Sequence, residues 1–134
     1  MQYYVPKTSW AIRGVKTAWA DLDITFRNNR EDPSLEGTVN LSFFNTQKNP
    51  QEIASACFKQ GGAAYPLGKI TVLYTKAKNK ELRVTTKIRR EDMLAVLRGE
   101  PITLAAVIDG AAYEFEPPKA FRTLKNELLA ELTY

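Results

Sequence analysis

Between Ala18 and Phe26 every second residue is apolar, and this period of two constrains the chain more than any other feature. Ala18, Ala20, Leu22, Ile24 and Phe26 share one face of an extended strand, while Thr17, Trp19, Asp21, Asp23, Thr25 and Arg27 share the other. Successive side chains of a strand point to opposite sides, so the segment has a core face and a wet face. Asn28 to Ser34 carries the turn formers and charge of an exposed loop, and Leu35, Gly37, Val39, Leu41 and Phe43 then resume the alternation. The two runs predict a long hairpin.

The same logic continues downstream. Ile53 to Phe58 predicts a short strand ending at Gly61-Gly62, where two glycines permit a sharp turn. Lys69 to Thr75 and Glu81 to Ile88 form the next pair, with Lys76 to Lys80 as a charged hairpin tip. Ile102 to Ile108 runs into Asp109-Gly110, a preferred type I′ turn dipeptide, before Ala112 to Glu116 returns. Two segments break the period. Glu91 to Arg98 groups Met93, Leu94 and Leu97 on one side and is stopped by Gly99 and Pro101, predicting a short connector helix over about 91–98. Pro118, Phe121, Leu124, Leu128 and Leu132 predict an amphipathic C-terminal helix over about 118–132, whose apolar stripe must cover a sheet face or meet a partner.

With 134 residues and neither repeat nor linker, the chain reads as a single domain spanning 1–134. Its expected fold is mainly β, a two-layer antiparallel β-sandwich of about 7–9 strands, with a helix-capped barrel as the alternative. One cysteine excludes both an internal disulfide and the immunoglobulin pair of cysteines around a tryptophan. No residue pattern carries a resemblance to a known family.

Histidine is absent, which excludes Ser-His-Asp and Cys-His catalysis and removes the commonest metal ligand. No enzyme activity and no cofactor are expected. No window approaches the roughly 18 apolar residues of a membrane-spanning helix, so a soluble protein is expected. The N-terminus lacks a secretory signal. Either the protein starts here and stays in the cytoplasm, or Met1 precedes a chain whose export signal has been removed. The early strand favours the second, a periplasmic or secreted protein.

Several side chains are candidates for chemistry, each beside a plainer role. Asp21 and Asp23 share a strand face, and Glu36 would complete a divalent-cation site if the hairpin register set it opposite; the plainer role is an acidic, soluble strand face. Glu114 and Glu116 form a second same-face pair. Cys57 lies in an apolar strand and reads as a buried structural residue rather than a nucleophile. Asn40-Leu41-Ser42 matches a glycosylation triplet that is discounted, and Gly61-Gly62 lacks the rest of a phosphate-binding loop.

Charge distribution says more than net charge. Residues 1–68 hold 7 basic and 6 acidic groups, residues 69–90 hold 8 and 1, and residues 91–134 hold 4 and 8. The basic hairpin 69–90 is therefore a candidate surface for nucleic acid or another polyanion, through Lys76, Lys78, Lys80, Arg83 and Lys87. Its plainer role is an edge protected from strand pairing by lysine. Tyr3, Tyr4, Trp10 and Trp19 are the candidate contact aromatics, with Trp10 and Trp19 the principal ones; a covering helix would equally account for Trp19. The leading expectation is a binding or structural module with a protein partner, such as an accessory domain of a bacterial envelope or surface protein. Polyanion binding by the hairpin is the alternative.

Overall fold

The computed structural model describes residues 2–27, 36–99 and 102–132. The loop expected at 28–34, Leu35 and Pro101 lie outside them, as do the side chains of Tyr3, Tyr4, Phe26, Arg27 and Leu132. Among the described residues, nine strands and two helices follow in the order β1 (Gln2–Ile12), β2 (Val15–Arg27), β3 (Glu36–Asn45), β4 (Ile53–Gln60), β5 (Ala63–Pro66), β6 (Thr71–Lys76), β7 (Glu81–Arg89), α1 (Arg90–Arg98), β8 (Ile102–Ile108), β9 (Ala111–Phe115) and α2 (Lys119–Leu132). They form two packed antiparallel sheets, one ordered β1-β2-β3-β7-β6 and the other β5-β4-β8-β9. This is the expected two-layer β architecture with a connector helix and a C-terminal helix.

The period of two places the core as expected. Ala20, Leu22 and Ile24 of β2, Val39, Leu41 and Phe43 of β3, and Leu82, Val84 and Ile88 of β7 are buried on the inner face of the first sheet. Ala56 and Phe58 of β4 and Ile102, Leu104, Ala106 and Ile108 of β8 meet them from the second. The long hairpin is real: Ala18 pairs with Asn45 and Thr25 with Thr38. Asp109 and Gly110 both have positive φ, 50° and 79°, as a type I′ turn requires. The Asp109 carboxylate also accepts from the backbone N–H groups of Gln51 and Glu52, at 2.9 Å for Glu52, so it ties the entry of β4 to the β8–β9 turn.

β5 goes beyond the expected strands. Ala63-Ala64-Tyr65-Pro66 has no β-branched residue, and only its pairing with β4 makes it a strand. From it the chain crosses between sheets within two residues. Leu67 N–H bonds to Ala56 of the second sheet at 3.1 Å and Gly68 N–H to Lys87 of the first at 2.8 Å. A Cβ at Gly68 would stand 3.3 Å from the Lys87 carbonyl, so the close approach favours glycine.

The opposite margin is closed at the end of β1. Ala11 and Glu116 exchange backbone hydrogen bonds of 3.0 and 2.7 Å, joining β1 to the end of β9. Trp10 of β1 lies 4.8 Å from Phe121 of α2 and 6.0 Å from Phe58 of β4, centroid to centroid. α2 packs on β1 and α1, while α1 touches β3, β4 and β7. Lys125 of α2 is buried and donates from Nζ to the Gly99 carbonyl at 3.2 Å, a cation where the C-terminus of α1 favours one. The apolar stripe of α2 therefore covers β1 and Trp10, and Trp19 is not its target.

Candidate interaction surface

Trp10 is 0% exposed and donates from Nε1 to the Thr8 hydroxyl at 3.1 Å. This corrects its reading as a contact aromatic. A register shift between Val5 and Thr8, at Pro6-Lys7, changes which alternate residues face inward, so Val5, Thr8 and Trp10 are all buried. Trp19 stays on the outer face, half-buried, with its ring stacked on Phe44 at 5.1 Å and 13°.

The outer face of the first sheet is less wet than the alternation suggests. Asp21, Asp23 and Ser42 are buried by their neighbours. Ser9 donates to Asp21 at 2.5 Å, and Lys7 Nζ lies 3.7 Å from the same carboxylate. Arg83 donates to Ser42 Oγ at 3.0 Å and to Asp23 at 3.4 Å. Glu36 pairs with Arg89 across the strands, whereas Asp21 faces Ser42 and Asp23 faces Asn40, so the three carboxylates do not converge. Among the described residues no group of three acidic or cysteine side chains could hold a metal ion. Glu114 and Glu116 are separately paired, with Lys59 and Arg13, each at 3.3 Å. Cys57 is half-buried rather than buried, because Ala56 and Phe58 take the inward positions of β4.

The basic hairpin divides into committed and uncommitted charges. Arg83 is held by Asp23 and Ser42, and Lys87 donates to the Thr38 hydroxyl at 2.7 Å. Lys80 sits in the left-handed region, φ 52°, and donates to the Thr46 carbonyl at 2.6 Å. Arg89 bonds to Asp92, and that bond, with the Asp92 and Glu91 charges, holds its guanidinium above the ordinary arginine range. Lys69, Lys76 and Lys78 are exposed around β6 and the turn, with Lys76 Nζ 4.5 Å from the centroid of the Tyr74 ring. The five residues read as one polyanion surface are therefore spread between the outer sheet face and the hairpin tip.

β6 is the feature that reading residue types missed. All six of its residues are exposed, with Val72 at 48%, Leu73 at 52% and Tyr74 at 37%. These are three of the four exposed large hydrophobic residues among the described ones, Val15 being the fourth. Val72 pairs with inward-facing Val84, and Tyr74 pairs with outward-facing Arg83. The apolar side chains thus stand on both faces of a strand whose second edge has no neighbouring strand among the described residues. A period-two pattern marks which side of a sheet a residue occupies but not whether the facing sheet reaches that far.

The recesses differ in size and in how open they are. Clefts of about 170 Å³ beside Phe121 and about 120 Å³ beside Phe43 and Tyr113 fall below the roughly 300 Å³ at which small-molecule pockets begin. An open trough of about 640 Å³ near Tyr65 and Gly68 is lined by Glu36, Lys87, Arg89 and Asp92, whose opposite charges offset one another. No family model, curated protein or solved structure matches the chain. The functional reading therefore rests on geometry.

Proposed function

We propose that the domain is a protein-binding module whose contact surface is the open margin of the first sheet at β6. One observation carries the reading: Val72, Leu73 and Tyr74 lie exposed together on an edge strand that no described strand pairs on one side. Grouped exposed apolar side chains mark interaction surfaces far more often than single ones do. Partly exposed Trp19 and Phe44 lie on the outer face of the same sheet, and Phe44 and Lys76 both pair with Glu81 across β7. Polyanion binding is the weaker reading, because Lys80, Arg83 and Lys87 are occupied by internal partners.

A photo-crosslinking residue at position 73, compared with one at exposed Ser55 on the second sheet, tests this in lysate of the native cell. Cross-links to a protein of defined mass are expected from position 73 and not from position 55. Equal yields from both positions, or none from either, would remove the reading.

A further inference from the structure

We propose that the unpaired edge of β6 receives an extended, acidic segment of another protein as an added strand. This rests on the preceding reading of the β6 margin and goes beyond it by stating the partner's chemistry. A free edge offers a row of backbone N–H and C=O groups that an incoming strand can meet, with side-chain neighbours supplying selectivity. Here those neighbours are Val72 on the inner face and Tyr74 on the outer, with Leu73 at the register shift between them. An incoming segment therefore finds apolar contacts above and below the new strand pair.

Charge selects the partner. Lys69 and Lys76 bound β6 and Lys78 follows in the turn, all exposed. Glu81 is the only carboxylate within 69–90, and it is buried and accepts from the Tyr74 hydroxyl at 3.4 Å. A segment with an apolar centre and carboxylates at its ends complements this edge.

A second copy complements it less well. Counting residue by residue, an antiparallel pair centred between Val72 and Leu73 sets Lys69 of each copy against Lys76 of the other, and centring between Leu73 and Tyr74 sets Lys69 against Lys78. Centring on Leu73 itself opposes no two lysines but supplies no carboxylate to them either. Like charges directly opposite are destabilising. The lysines oppose self-pairing in the first two registers while favouring an acidic partner, and the bulge at Leu73 must be accommodated by any incoming strand. A nucleic acid would use the lysines but not the aliphatic side chains between them.

The test uses the whole domain and three synthetic peptides: a Val/Ile-rich segment flanked by glutamates, its lysine-flanked analogue, and a glutamate-flanked version interrupted by proline. Amide hydrogen exchange across residues 71–75 is followed by NMR. The glutamate-flanked peptide is expected to slow exchange in β6 about tenfold or more and to weaken as salt rises, with neither control doing so. The triple variant Lys69→Glu, Lys76→Glu, Lys78→Glu, altered only at exposed positions, should instead prefer the lysine-flanked peptide. Equal binding of all three peptides, or no protection of β6 by the acidic one, overturns the inference. So does protection of β6 in concentrated protein alone, which would assign the edge to a second copy, or an oligonucleotide competing for the same lysines. If the peptides fail while cross-links from position 73 persist, strand addition falls and the contact surface stands; if both fail, both readings go.

Discussion

The two edges of the first sheet, β1 and β6, meet the same problem with opposite solutions. At β1 the backbone is bonded through Ala11 to Glu116, and Trp10 is enclosed by Phe58 and Phe121. At β6 no described strand pairs with the second edge, and Val72 and Leu73 are about half exposed. Both segments carry large apolar residues. Exposure of such residues is thus not a property of their type, but of which element the chain sends to cover them. The end of β1 that is covered contributes to stability, and the open margin at β6 is the proposed contact surface.

The largest expected effect falls on the margin closed at the end of β1. Trp10→Ala should cost about 3–5 kcal/mol in unfolding free energy, measured by urea denaturation, and a loss below about 1 kcal/mol would break the contrast. Phe121→Ala should cost about 3 kcal/mol. With Trp10→Ala in a double-mutant cycle, it should show coupling of at least about 0.5 kcal/mol, since the two rings touch.

A smaller loss is expected where the chain turns back toward that margin. Asp109→Ala removes the acceptor for the Gln51 and Glu52 N–H groups and puts alanine at positive φ. It should lower stability by about 1–2 kcal/mol, read from the thermal midpoint. The smallest stability effect belongs to the open margin. Val72→Thr with Leu73→Thr should change unfolding free energy by no more than about 0.5 kcal/mol while abolishing protection of β6 by the acidic peptide. A large destabilisation would mean that these side chains are structural, and the two edges would cease to differ.

Much of the architecture was legible because strand patterns are local. Ala20, Leu22 and Ile24, the Asp109-Gly110 turn and the helix near 119–132 follow from spacing and turn chemistry. Trp10 was not legible, because the shift at Pro6-Lys7 changes the inward parity within one strand. β5 was missed for another reason: its residues have little strand preference, and pairing with β4 defines it. The basic charge of 69–90 was visible, but its division was not. Asp23 and Arg83 are 60 positions apart and meet only across β3.

The chain by itself determined its β character, most of its strand faces, its two helices and the concentration of positive charge around one hairpin. Those properties depend on residue type and on spacing over a few positions. The tertiary structure alone decided that α2 covers Trp10 rather than Trp19, which lysines are held by internal hydrogen bonds, and that the described residues leave the apolar side chains of β6 about half exposed. Periodicity says that a face wants a neighbour; only the path of the whole chain determines which neighbour arrives.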